Sequence, residues 1–269
     1  MRTNESARVV ERVSALRRSV AAIERRGPAD APGIFTLGHD AIDARLGDGA
    51  QGGLAHGRLH EAFAATPDDA SAVCGFALML AVRAAPPDTT ILWLRLDAAE
   101  RRGGRLDAMG LAAIGLDPDR IVLGLAPDEK ALLRAGGDAV RCTGVGAVVM
   151  EAWGKCRPLD LTASRRLAIA AEASGVTTLL VRIDAAPEPS AARTRWEIAA
   201  APSVALEADA PGHPAFTLRL LRHPAGLSGL DWPVEWDRDR SQFREPAHPG
   251  AVVPLPLRGP MAEPWRRFG

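Results

Sequence analysis

Gly57-Arg58-Leu59-His60-Glu61-Ala62-Phe63-Ala64-Ala65-Thr66-Pro67-Asp68-Asp69-Ala70-Ser71 is the stretch that decides the fold of this 269-residue chain. The apolar run over 59–63 has the composition of a short buried strand. A small-residue helix follows over 70–85, with Val73, Phe76, Ala77 and Leu80 on one face. Between strand and helix lies the place of a phosphate-binding loop. The pattern G-x-x-x-x-G-K-[ST] asks for glycine at positions 64 and 69, lysine at 70 and a hydroxyl at 71. The chain has Ala64, Asp69, Ala70 and Ser71, so only the hydroxyl survives. Backbone amides converge on phosphate only where glycine allows it, and lysine neutralises the β and γ oxygens. Asp69 instead brings a carboxylate to the place of an anion. The expectation is a nucleotidase scaffold that no longer hydrolyses nucleotide.

Composition narrows the classes that remain. Lys+Arg and Asp+Glu stand at 33 each, so no global field draws the chain to nucleic acid or membrane. An apolar content of 47% is enough for a sizeable core. Cys74, Cys142 and Cys156 form no C-x-x-C pair, which suits a reducing cytoplasm without structural disulfides. His56 and His60 lie close in sequence, but no further ligands stand at metal spacing, so no metal site is expected. The first thirty residues are charge-rich and show no signal peptide, and the apolar run over 72–82 is too short to span a bilayer.

Three regions follow from the pattern. Residues 1–33 hold a helix over 5–26, with Val9, Val13, Leu16, Val20 and Ile23 on one stripe and arginines off it, ended by Gly27-Pro28. That stripe is a candidate docking surface. Residues 34–243 alternate strands (58–64, 90–96, 121–125, 147–151, 177–183) with helices (71–84, 101–114, 128–141, 164–174). Such alternation implies a mostly parallel, twisted α/β sheet flanked by helices. Runs at 204–206 and 217–221 suggest a closing β-hairpin. Trp232 and Trp236 read as anchors of a loop, because Pro233 argues against a helix. Residues 244–269 form a tail broken by Pro246, Pro249, Pro254, Pro256, Pro260 and Pro264. Its end, Trp265-Arg266-Arg267-Phe268, reads as a recognition peptide.

The order of these parts resembles the RecA recombinase core. Leu37-Gly38-His39-Asp40-Ala41-Ile42-Asp43-Ala44-Arg45-Leu46-Gly47 resembles its S-x-x-L-D-x-x-L-G lead-in, and Gly52-Gly53-Leu54-Ala55-His56-Gly57-Arg58 its turn into the loop strand. Gly115-Leu116-Asp117-Pro118-Asp119-Arg120-Ile121 resembles the approach to the third strand, and Ala147-Val148-Val149-Met150-Glu151 the Walker B strand. The resemblance puts Glu151 at the acidic position, with Asp97 or Glu100 as the carboxylate that would activate water. DNA contact would fall to Lys155, Arg157, Arg165 and Arg166, with Arg182, Arg193 and Arg195 as further candidates. So few phosphate contacts give weak, salt-sensitive binding.

Thr194-Arg195-Trp196, Leu218-Arg219-Leu220-Leu221-Arg222-His223 and Gly229-Leu230-Asp231-Trp232-Pro233-Val234-Glu235-Trp236 are similar to segments of the ImuA family of damage-inducible mutagenesis accessory proteins. That family resembles the SulA division inhibitors in lacking a competent phosphate loop. The resemblance implies translesion DNA synthesis in the SOS response. The partners it implies are ImuB, an inactive relative of Y-family polymerases, an error-prone DnaE-type polymerase reached through ImuB, and RecA. The expected protein is a cytoplasmic, non-enzymatic adaptor without a cofactor. A RecA-paralogue ATPase with an atypical site and a SulA-type division inhibitor stand as alternatives.

Overall fold

Short apolar runs alternating with helices build a parallel sheet, and a computed structural model of the chain shows how far it extends. It describes residues 33–47, 52–206 and 210–246. The N-terminal stripe and the residues from 247 onward therefore lie outside the described residues. In chain order the elements are β1 (Ile34–Phe35), α1 (Asp40–Leu46), β2 (Leu54–Ala55), β3 (Leu59–Ala64), α2 (Ala70–Ala84), β4 (Thr90–Leu96), α3 (Asp97–Gly103) and α4 (Ala108–Ala113). Next come β5 (Ile121–Ala126), α5 (Glu129–Arg141), β6 (Val145–Trp153), α6 (Leu161–Ser174), β7 (Thr177–Ile183), β8 (Thr194–Ala201), β9 (Ala215–Arg222), β10 (Leu230–Asp237) and β11 (Gln242–Arg244).

The main sheet has nine strands in the order β11-β10-β9-β8-β3-β7-β6-β4-β5. The strands from β8 to β5 in that order are parallel, and β9, β10 and β11 continue the sheet antiparallel. Two cores follow from the two faces. Val73, Phe76 and Leu80 of α2 pack on Val149, Val181, Trp196 and Ile198, and Val234, Trp236 and Phe243 close over the same side. Leu132 and Val140 of α5 and Leu167 and Ala171 of α6 pack on Val148, Met150 and Leu180 on the other. α2 is apolar nearly all round because it is enclosed between the sheet and its antiparallel extension.

Several expectations need correction. The strand preceding β9 is β8, not 204–206, which is outside any strand. Trp232 and Trp236 belong to strand β10 rather than a loop. Pro233 is tolerated because β11 pairs only with Glu235 to Asp237, so the absent N–H lies beyond the β11 ladder. Trp236 is fully buried, and its indole N–H donates to the Ile114 carbonyl at 2.9 Å. The single helix expected over 101–114 is two helices, α3 and α4, parted at Gly104, which takes φ +76°. Arg244 ends β11 and pairs with Glu235, so the tail starts later than residue 244.

His60 shows how the lead-in is fastened. Its Nε2–H donates to the Ala55 carbonyl at 3.1 Å, so Nδ1 is left to accept from the Thr194 hydroxyl at 2.8 Å. That hydroxyl in turn accepts from the Trp196 indole at 2.9 Å. Burial lowers the His60 pKa to about 4. The unfolded chain therefore takes up a proton near pH 6.5 that the folded chain refuses until about pH 4. The stability this group contributes is complete above that upper value and is lost as pH falls through the window, by roughly 3 kcal/mol in all. Urea unfolding at neutral pH and near pH 4.5 should show this loss in the parent chain and a much flatter response in His60→Gln. Equal acid sensitivity in both chains would contradict the assignment.

Candidate functional site

The turn at the expected place of a phosphate loop is held by its own side chains. Thr66 and Asp69 form a reciprocal capping box around the short 3-10 turn Pro67–Asp69. The Asp69 carboxylate accepts from the Thr66 N–H at 3.0 Å and the Thr66 hydroxyl at 2.8 Å. Its other oxygen accepts from the Ala200 N–H of β8 at 2.8 Å. Partial burial would raise the Asp69 pKa, but the hydrogen bonds from Ala200 and Thr66 hold it below the usual carboxylate range. The acid at the second glycine position thus stitches the turn to β8. Ala64 continues β3 beside Ile198, and Ser71 is exposed in the first turn of α2.

Beside this turn a cleft of about 520 Å³ opens between α2, the ends of β4 and β6, and the α3–α4 segment. Ala70, Ser71 and Glu151 line it together, so the structure does bring three of the expected positions to one place. The remaining walls come mainly from Cys74, Leu78, Trp93, Trp153, Leu106 and Ile114. A cleft of this size is right for a small ligand, and its aromatic and aliphatic walls are joined by Asp68, Arg95, Arg102 and Arg105.

Glu151 sits on its floor, 1% exposed. Parallel register places Arg95 of β4 directly beside it. Arg95 Nη2 donates to Glu151 Oε1 at 3.0 Å, and Arg95 Nη1 donates to the Gly104 carbonyl at 2.8 Å. The Trp93 indole N–H donates to Oε2 at 3.0 Å, and the Trp153 indole N–H to Oε1 at 2.6 Å. Burial pushes the neighbouring Cys74 thiol well above its usual pKa, and the Glu151 carboxylate adds to that shift. Cys74 is therefore a protonated wall residue rather than a nucleophile. Glu151 is enclosed by side chains of β4, β6 and α2 and has its oxygens engaged by fixed donors.

The carboxylates after β4 are also committed to ion pairs. Asp97 pairs with Arg101 at 2.6 Å and Glu100 with Arg105 at 3.1 Å, both on the surface side of the cleft. Of the basic candidates, Lys155, Arg157, Arg165 and Arg166 are exposed, and Lys155 lies 3.9 Å from Glu188. Arg182 and Arg195 are not available for DNA. They flank Glu61 of β3 at 3.6 and 2.8 Å, on the sheet face opposite the cleft, and both guanidinium groups lie over the Phe63 ring. Pairing with a central-strand carboxylate draws them inward. His56 packs against Phe35, and no group of three or more metal-ligating side chains gathers among the described residues.

Sequence reasoning missed Trp93, Arg95, Trp153 and the Thr66–Asp69 box. The signals were present. T-x-x-D before a helix is a capping pattern, and Trp93-x-Arg95 and Glu151-x-Trp153 share the parity that puts each pair on one face of the sheet.

No family model matches the chain. It is 29% identical over 258 residues to Protein ImuA of Caulobacter vibrioides, from strain NA1000 / CB15N and from strain ATCC 19089 / CIP 103742 / CB 15. The alignment covers 88% of this chain and 96% of each relative. A crystal structure of the RadB recombinase matches with a TM-score of 0.52 at 16% identity, over 79% of this chain and 99% of that one. This second likeness is one of fold, and the α/β core is RecA-like.

Replacing Glu151 by Gln should cost about 3 kcal/mol or more, since it leaves the Arg95 guanidinium buried without a counter-charge. The amide would also turn its own N–H groups toward donors. Urea unfolding measures the loss. A change under about 1 kcal/mol would show that Glu151 is free to serve a ligand instead.

Proposed function

We propose that this chain, which belongs to the ImuA family, serves damage-inducible mutagenesis as a RecA-like adaptor that makes contacts and turns over no nucleotide. The observation that carries this reading is the state of Glu151. The carboxylate that would have to organise a metal and water is enclosed by Trp93, Arg95 and Trp153. The phosphate position beside it is taken by a turn whose carboxylate is bonded to β8. Phosphoryl transfer depends on positioning and charge neutralisation, and neither lysine nor converging glycines supply them here.

Contact is then the remaining work of the scaffold. The proposed partners are ImuB, through the proline-rich tail with Trp265 to Phe268 as its anchor, and RecA or a second copy, through the N-terminal stripe of Val9, Val13, Leu16, Val20 and Ile23 and the open edge of the core. An error-prone DnaE-type polymerase would be reached through ImuB. Support for an edge contact comes from β5, the outermost strand of the parallel side, where Val122 and Leu125 are exposed. A strand edge with apolar side chains is a ready surface for another chain. Direct DNA contact by Lys155, Arg157, Arg165 and Arg166 is the weaker part of the reading, since four cations give only a modest, salt-sensitive affinity.

Purified protein should release no phosphate from Mg·ATP above background, and Ala70→Lys alone should not create turnover, because Asp69 still occupies the phosphate position. Magnesium-dependent turnover that Ser71→Ala abolishes would overturn the non-catalytic reading. For the tail, the informative deletion removes residues 247–269 and leaves β11 intact. It should reduce co-purification with ImuB while moving the melting temperature little. Undiminished capture, or a large drop in melting temperature, would refute the recognition role.

A further inference from the structure

A chain that no longer takes nucleotide still keeps a cleft of about 520 Å³ at the ends of β4 and β6. Small-molecule sites run from roughly 300 to 1,000 Å³ and are lined mostly by apolar and aromatic side chains, so the space has the size and the character of a site. The chemistry of its lining selects what enters.

The interior has nothing to give a charged group. Glu151 and Arg95 neutralise each other at 3.0 Å. The indole N–H groups of Trp93 and Trp153 both donate to Glu151 already. Burial holds the Cys74 thiol protonated. An ion entering here would surrender its water and meet no counter-charge. What the interior does present is ring and aliphatic surface. Leu106, Leu111, Ile114 and Trp153 are only half-buried, and Leu78 and Trp93 complete the apolar lining. A Cβ on Gly103 would lie 3.3 Å from the Trp153 ring, so glycine there keeps that ring edge clear. Apolar side chains left half in water around one concavity gain by being covered. Charges are confined to the mouth, where Asp68, Arg102 and Arg105 stand exposed with Ser71. They are of both signs, so they attract no particular ion.

We infer, on the reading that nucleotide no longer binds here, that this cleft takes a small, uncharged aromatic molecule, its ring against Trp153 and its body among Leu78, Leu106, Leu111 and Ile114. Rings pack well on an indole in offset or edge-on contact, and a flat body suits a cleft between a helix and the sheet ends.

N-phenyl-1-naphthylamine, an uncharged aromatic that fluoresces in apolar surroundings, is the probe. Titrated into the full chain, it should bind saturably in the micromolar range, with a single molecule per chain, and should take up excitation from tryptophan. Leu106→Asp puts a charge on the wall, and Ser71→Trp narrows the mouth from an exposed position where the fold tolerates it. Each should weaken the probe by about tenfold or more, whereas Leu106→Met should hold it within about twofold of the parent. The melting temperature of Ser71→Trp should match that of the parent. Millimolar Mg·ATP should not displace the probe. Failure of the probe to saturate, or parent-like binding in both Leu106→Asp and Ser71→Trp, would overturn the assignment of an aromatic ligand. Displacement of a saturably bound probe by Mg·ATP is a separate failure: the cleft would then still take nucleotide, and the reading beneath the ligand class would fall.

Discussion

A carboxylate buried at the end of a parallel strand must be given donors, and Glu151 shows where they come from. Two indoles and one guanidinium close on it from β4 and β6, and Arg95 extends the contact to the Gly104 carbonyl between α3 and α4. Cys74 adds α2 to the same cluster. One side chain thus links β4, β6, α2 and the α3–α4 segment on the floor of the cleft. In an open parallel sheet the ligand crevice lies at the carboxyl ends of the strands. Here the crevice is present at those ends, and the Glu151 cluster forms its floor.

The opposite face repeats the device with different partners. Glu61 of β3 holds Arg182 of β7 and Arg195 of β8, its neighbours on either side. Arg182 Nε and Arg195 Nη2 are buried without a hydrogen-bond partner, and the Phe63 ring beneath the two guanidiniums offsets part of that cost. Breaking a buried pair costs far more than forming it contributes, so each cluster specifies how neighbouring strands meet at least as much as it adds stability. Asp69 and His60 act on a smaller scale, the first fixing the turn to β8 and the second fixing the lead-in to β3 and β8.

Much of this fold was legible from pattern alone. The strands at 90–96 and 177–183 and the helices over 128–141 and 164–174 have clear periodicity, and the structure differs there by at most a few residues. The departure from the phosphate-loop pattern was legible too, because Ala64, Asp69 and Ala70 stand where that pattern has glycine and lysine. The hydrogen bonding of the turn at that place was not. Asp69 as an anion-repelling group and Asp69 as a capping group look the same until Thr66 and Ala200 are placed around it. Arg182 and Arg195 looked like surface cations because their partner lies more than a hundred residues earlier in the chain, and only the sheet order brings Glu61 between them. β10 was misread because Pro233 is forbidding in a central strand and harmless where the outer ladder has not begun.

Equilibrium binding of nucleotide is the most direct test of the claim that structure has replaced the nucleotide site. Mg·ATP titrated into the purified chain in a calorimeter should give no saturable heat up to millimolar concentration. Saturable, magnesium-dependent binding in the micromolar range, lost on Ser71→Ala, would contradict it and return Glu151 and Ser71 to the role of ligand-binding residues.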